Sequence, residues 1–305
     1  MKVLKNKARL ANMKIGFIGT GVMGAAIAKH LLQAGNELTV FNRTKSKTDE
    51  LVAAGATWAP TPKKVAEQSE VVFSMVGFPQ DVEEVYFGAY GIFAGSQKGT
   101  ILIDMTTSKP ALAQKIAEYG QQREIGVLDA PVSGGDVGAK NATLTVMVGG
   151  QEETYRQVEP LFEKISKKVT LFGPAGAGQH AKMANQIMIA GTMTGLTETL
   201  LYTKAAGLDP KKVLEALSAG GAQNWSLSNY GPRILDDDYA PGFFSRHFLK
   251  DLRIALEEAD RMGLDLPATA NAKRLYEVMV DVYDLGDQGT QGLINTYTQV
   301  EKEQK

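Results

Sequence analysis

At 305 residues the chain exceeds what one hydrophobic core comfortably supports, so two domains are expected. Hydrophobic residues at 44%, charged residues at 22% and a net charge of −1 describe an ordinary globular protein, with no field to gather nucleic acid or an anionic membrane. The absence of cysteine excludes disulfides and thiolate metal sites and suits a reducing, cytoplasmic compartment, and no apolar run approaches the roughly 20 residues of a membrane span.

Residues 1–12, MKVLKNKARLAN, are basic but lack the apolar stretch of a secretory signal. With Met13 directly before KIGFIG, they are expected to form a loose extension. From there short apolar runs alternate with helical patterns. KIGFI (14–18), ELTVF (37–41), VVFSMV (71–76), TILIDM (100–105) and GVLDA (126–130) have the Val, Ile and Leu content of buried strands. Helix-like segments at 22–34, 45–54, 62–69 and 109–123 lie between them, and TLTVMVG (143–149) and KVTLFG (168–173) extend the sheet. The expected fold over 13–174 is α/β: a Rossmann-type, doubly wound parallel sheet covered on both faces.

The first strand-to-helix turn, GFIGTGVMGAAIAKHL, carries Gly19-x-Gly21-x-x-Gly24. Gly19 permits the tight turn, Gly21 lets a pyrophosphate approach the backbone, and Gly24 lets helix and strand pack closely. Val22 and Met23 begin the helix, whose unpaired N–H groups would face the phosphates. About 20 residues on, where an NAD site carries a carboxylate for the ribose, the chain reads FNRTKSK. Asn42, Arg43 and Thr44 stand there instead. An arginine grips a 2′-phosphate that an acid repels, and Lys45 and Lys47 add charge. The expected cofactor is therefore NADP(H), with NAD as the alternative.

After Gly178 the pattern changes. From Gln179 to Ala206 there is no proline, and apolar residues recur at helical spacing, enough for a helix of roughly 40 Å. Gly207 would end it, and Asp209-Pro210 offers a cap and first-turn proline for the next. Further helices are expected near 210–219, 246–263, 267–284 and 292–303. Residues 175–305 are thus expected to be an all-α domain opened by the long helix 179–206.

Three more stretches follow the glycine loop in fixed order: DMTTSKP (104–110), DAPVSGGDVGAKNATLTVMVGG (129–150) and GAGQHAKMANQ (176–186). From Lys14 onward the chain resembles the 3-hydroxyisobutyrate dehydrogenase family of β-hydroxyacid dehydrogenases. The resemblance implies that Lys182 is the general acid/base, exchanging a proton with a substrate oxygen as hydride is transferred. Asn185 and Gln186, three and four residues later, share its helical face. Ser133, Gly134 and Gly135 match the family's substrate loop, where a hydroxyl and glycine N–H groups can cradle a carboxylate. Thr106 and Thr107 match positions near the nicotinamide ribose, and Met75 and Val76 the loop flanking adenine, where this chain departs from the common pattern. Lys250, in FLKDLRIALEEA, would point toward cofactor and substrate with Asp251 behind it. Trp225 would border the substrate pocket, with core packing an equal reading for it, for Tyr230 and for Phe244. His30, His180 and His247 have no metal-ligand spacing, and this chemistry needs no metal. The implied activity interconverts a small β-hydroxy acid and its semialdehyde or keto acid, in a homodimer or homotetramer. The alternatives are a non-catalytic NADP-binding relative and an enzyme resembling 6-phosphogluconate dehydrogenase.

Overall fold

The computed structural model describes residues 12–303, so the expectation about the first twelve falls, Asn12 apart, outside the described residues. The chain divides into two compact units, one ending at Lys182 and the other beginning at Met183.

The first unit is a nine-stranded sheet. Its strands are β1 (Lys14–Ile18), β2 (Glu37–Phe41), β3 (Thr57–Trp58), β4 (Val71–Ser74), β5 (Ile101–Asp104), β6 (Gly126–Asp129), β7 (Val132–Ser133), β8 (Leu144–Gly150) and β9 (Ser166–Gly173). The order β3-β2-β1-β4-β5-β6 is parallel throughout. β8 then runs antiparallel to β6 and β7, which pair with it in one continuous register, and β9 lies parallel to β8. The sheet therefore extends as expected, but with its last strands reversed.

Helices α1 (Val22–Gln33), α2 (Asp49–Ala53), α3 (Pro62–Ala66), α4 (Pro79–Phe87), α5 (Pro110–Gln121), α6 (Gly135–Lys140) and α7 (Glu152–Phe162) connect these strands. Because side chains alternate along a strand, the sheet serves two cores. Ile15, Phe17, Val71, Phe73, Ile101 and Ile103 pack against α1 and α7 on one face. Val72, Leu102 and Val127 meet Val65, Val82, Tyr86 and Ile116 of α3, α4 and α5 on the other. Burial of both faces explains why these strands read as continuous apolar runs.

A single helix, α8 (Ala177–Ala205), crosses the division between the units. It starts two residues earlier than the glycine pattern suggests and stops before Gly207, whose φ of +68° suits a helix end. The second unit is otherwise α9 (Pro210–Ser218), α10 (Trp225–Leu235), α11 (Ser245–Arg261), α12 (Pro267–Glu277) and α13 (Leu293–Glu303). Asp209 caps α9 as its sequence implies, its Oδ1 accepting the Lys211 N–H at 2.9 Å. The expected helix 267–284 is α only to Glu277 and then widens into a π-type turn over Val278–Val282. Phe248 and Tyr276 meet edge-to-face at 4.9 Å in this unit's core.

Candidate active site

The glycine loop joins β1 to α1, and its glycines answer to different constraints. Gly19 has φ +94°, and a Cβ there would collide with the Met75 carbonyl. A Cβ on Gly24 would collide with the Gly19 carbonyl and crowd the Phe17 ring. Gly21 has φ −72° and ψ −168°, open to any residue, and a Cβ would meet nothing within 4 Å. The protein's own packing thus requires Gly19 and Gly24, whereas Gly21 leaves space that a ligand's phosphates fit. No side chain caps α1, so its first-turn N–H groups are left for such a ligand. Val22 is exposed there and Met23 half-buried.

At the end of β2, Asn42 Oδ1 accepts the Thr20 N–H at 3.1 Å and its Nδ2 donates to the Thr44 carbonyl at 2.9 Å. Asn42 therefore ties the glycine loop to the residues that follow β2. Arg43 is 89% exposed at its side chain, with its guanidinium 3.4 Å from Asp81. Lys45 lies over the Trp58 ring at 4.4 Å. The half-buried Met75 and Val76 follow β4, and the Val76 N–H donates to Thr106 Oγ1 at 3.0 Å.

A buried acid stands at the end of β5. Asp104 Oδ1 accepts from Ser74 Oγ at 3.0 Å and from the Thr106 N–H at 3.1 Å, and Ser74 is in turn 3.1 Å from the Tyr86 hydroxyl. Burial pushes the Asp104 carboxyl from 3.8 up to about 6, against hydrogen bonds from Thr106 and Ser74 that pull it down. The folded protein thus holds this proton more tightly than the unfolded chain. Its contribution to stability is whole below pH 3.8 and is lost as pH rises through about 6. Asp104→Asn keeps an acceptor at Oδ1 and removes the ionisation. It is expected to stabilise the protein at pH 8 by at most about 3 kcal/mol, a gain that fades by pH 4 and is measured by denaturant melts at both.

Thr106 itself is buried, its hydroxyl facing Val76 and its carbonyl accepting from Gln179, while Thr107 is half-buried. Lys182, one turn beyond Gln179 on α8, is only 6% exposed. The α8 start is closed by Asp129, whose two oxygens accept the Gly176 N–H at 2.8 Å and the Gln179 N–H at 2.9 Å. An anion at a helix N-terminus is favoured there. Burial still raises the Asp129 carboxyl above its ordinary range, with those N–H groups opposing the rise.

The substrate-loop candidates close β7. Ser133 pairs with Thr145 of β8, and Gly134 and Gly135 have φ of +130° and +63°, a course that favours glycine at both. α6 follows, and its last carbonyls, Ala139 and Lys140, lie 3.1 and 3.0 Å from His30 Nε2 on α1. His30 thus joins the glycine-loop helix to the segment after Ser133.

In the second unit the remaining candidates form a chain of contacts. Asn185 Nδ2 donates to Gln186 Oε1 at 2.7 Å, Gln186 Nε2 donates to Asp251 Oδ2 at 2.7 Å, and Lys250 Nζ lies 3.2 Å from Asp251 Oδ1. Gln186 and Asp251 are buried, and Gln186 links Asn185 to Asp251. Trp225, at the start of α10, is 55% exposed and meets the buried Tyr230 edge-to-face at 5.1 Å. Phe244 is half-buried against His247. Tyr230 takes the core reading, and Trp225 stays at the surface. No group of three or more His, Asp or Glu that could hold a metal occurs among the described residues.

Comparison with known proteins finds relatives along nearly the whole chain. Residues 14–173 match the family model described as the NAD binding domain of 6-phosphogluconate dehydrogenase. Residues 176–297 match the one described as NAD-binding of NADP-dependent 3-hydroxyisobutyrate dehydrogenase. The chain is 50% identical to the probable 3-hydroxyisobutyrate dehydrogenase-like 1 of Arabidopsis thaliana, over 93% of this chain and 85% of that one. This chain belongs to the 3-hydroxyisobutyrate dehydrogenase family. It is 41% identical to the 2-hydroxy-3-oxopropionate reductase of Escherichia coli, over 87% of this chain and 90% of the relative. The Mycobacterium tuberculosis 3-hydroxyisobutyrate dehydrogenase, in a structure with L-serine, superposes with a TM-score of 0.86 at 27% identity, covering 94% and 99% of the two chains. As a member of the 3-hydroxyisobutyrate dehydrogenase family, the protein is an NAD(P)-dependent oxidoreductase of the β-hydroxyacid dehydrogenase type. No helix among its described residues is long and apolar enough to cross a membrane.

Two residues of this family member escape a reading of the sequence: Asp129 and Gln179. The available signals are an acid ending a wholly apolar strand and a lone amide inside the glycine-rich GPAGAGQ, and neither names its partners.

Proposed function

We propose that the protein is an NADP(H)-preferring reductase of small semialdehydes or keto acids, working reversibly on the matching β-hydroxy acids, with Lys182 as general acid/base. The observation that carries this reading is a lysine almost wholly buried on a helix whose first turn is anchored by Asp129 and Gln179. A lysine of no function is ordinarily solvated. The cofactor, when bound at the glycine loop, supplies or accepts the hydride. Lys182 Nζ gives a proton to the carbonyl oxygen in reduction and takes it from the hydroxyl in oxidation. Ser133 with the Gly134 and Gly135 N–H groups holds the substrate carboxylate. Asn185 and Gln186, by their places in the motif, are assigned to substrate, as is Trp225, and Lys250 to substrate and cofactor, with Asp251 beside it. Thr107 bonds the nicotinamide ribose, and Thr106 keeps the adenine-side residue Val76 in register.

The test is an activity panel with NADPH and NADH: 3-hydroxyisobutyrate, tartronate semialdehyde, glyoxylate and succinic semialdehyde. Turnover of a member supports the reading. Binding of NADPH with no turnover would make the protein a non-catalytic cofactor binder. Arg43, exposed and in contact with the half-buried Asp81 at 3.4 Å, has a surface ion pair that costs little to break in turning onto a 2′-phosphate. Arg43→Ala is expected to raise the KM for NADPH by about 10-fold or more and leave that for NADH nearly unchanged. A wild-type preference for NADH would overturn the NADP assignment. The cytoplasm fits the cysteine-free composition. Self-association is supported by the exposed Met188 and Tyr202 on α8, and sedimentation would report the oligomer.

A further inference from the structure

Gln179 is fully buried, and its backbone N–H and both side-chain polar atoms bond within the first unit. Its N–H donates to Asp129 Oδ2 at 2.9 Å, its Oε1 accepts the Ser108 N–H at 2.9 Å, and its Nε2 donates to the Thr106 carbonyl at 2.8 Å. One side chain therefore brackets the 106–108 loop on both sides of Thr107. The same residue begins the turn of α8 that carries Lys182, three positions later on the same helical face. The surroundings leave little room to shift. A Cβ on Gly178 would collide with the Met147 carbonyl, and one on Gly149 would press on the Asp129 carboxylate. The helix start is thus pressed against β8 and the end of β6, and Gln179 links it twice to the 106–108 loop.

We propose that Gln179 is a positioning residue for catalysis: it fixes the 106–108 loop to the turn of α8 that holds Lys182. The proposal rests on Lys182 as the general acid/base. Gln179 touches neither substrate nor cofactor in this role. It acts by holding the distance between Thr107 and the amine that delivers the proton, where an error of about 1 Å costs on the order of 10²-fold in rate. A buried glutamine of purely structural use would add stability and leave turnover alone.

The test compares Gln179→Met, which keeps the volume and removes both amide bonds, with the wild type and with Lys182→Ala. Hydrogen exchange of the cofactor-free protein should show the Ser108 amide exchanging at least tenfold faster in Gln179→Met. Its kcat should fall by about 10²-fold, with the dissociation constant for NADPH and the substrate KM changed less than about threefold. If Gln179→Met does not fold, the same measurements fall to Gln179→Asn, which keeps the amide but is one methylene too short for both bonds. A folded variant with wild-type kcat overturns the proposal. So does a loss confined to cofactor affinity, or to melting temperature. Lys182→Ala separates the two ideas. If it retains activity, the general acid/base assignment fails; if it is inactive while Gln179→Met is fully active, only the positioning role fails.

Discussion

Lys182→Ala is expected to lower kcat by about 10²- to 10⁴-fold and to leave the dissociation constant for NADPH within about threefold. Proton transfer by a placed side chain is worth that much, and the dinucleotide affinity is proposed to come from the glycine loop, which the substitution does not touch. The fold should survive the change. Lysine is costly to bury, and an alanine in a helix interior carries the highest intrinsic propensity. Lys182→Arg asks a sharper question. Arginine keeps a positive charge but does not give up its proton at accessible pH, so it can polarise a carbonyl without completing the transfer. If Lys182→Arg is as slow as Lys182→Ala, proton exchange is the role. If it restores turnover, Lys182 acts as a fixed charge and the acid/base assignment is wrong. Single-turnover hydride transfer, followed by NADPH absorbance, measures the chemical step free of product release.

The parts legible in the sequence are those written locally. The parallel strands from β1 to β6 are apolar because both of their faces are covered, and the continuous runs at 14–18, 71–76 and 100–105 report that directly. Asp209-Pro210 and Gly207 punctuate helices by mechanisms that need no distant partner. What stayed hidden depends on pairing or on proline in unhelpful places. Nothing in TLTVMVG says that β8 runs antiparallel, because direction is set by its partners β6 and β7. α4 begins at Pro79 inside a run that reads as a loop, and Pro160 in α7 and Pro232 in α10 interrupt patterns that fold as helices nonetheless.

The candidate site divides the same way. Lys182, the glycine triplet and the Ser133 loop stand out by residue type and spacing. The supports do not, since Gln179 meets Thr106 and Ser108 across 73 and 71 residues, and Gln186 meets Asp251 across 65. Reading Gln186 as a substrate contact follows from its place on the helix face. Its bonds to Asn185 and Asp251, the latter 65 residues away, are not visible there. Sequence marks candidate groups by type and spacing better than it marks their supports, because supports are defined by contact.

The glycine loop offers the cleanest separation of ligand binding from folding. Gly21→Val places a branched side chain where the protein itself has nothing within 4 Å, at backbone angles that valine adopts freely. The folded state should lose no more than about 1 kcal/mol, the cost of a poorer residue at the helix N-cap. The side chain would fill the space left for the pyrophosphate and shield the first-turn N–H groups of α1, so NADPH affinity should fall by at least about 100-fold. Gly24→Ala should behave in the opposite way. Its single methyl collides with the Gly19 carbonyl, a backbone atom that cannot swing aside, and forces β1 and α1 apart. Overpacking of this kind costs about 1–3 kcal/mol, so the melting temperature should drop by several degrees. Thermal melts with and without NADPH read both effects at once. Gly21→Val should melt near the wild type but gain nothing from the cofactor, whereas Gly24→Ala should melt early and recover part of the loss as NADPH is added. A Gly21→Val protein that still gains stability from NADPH would show that the phosphates bind elsewhere.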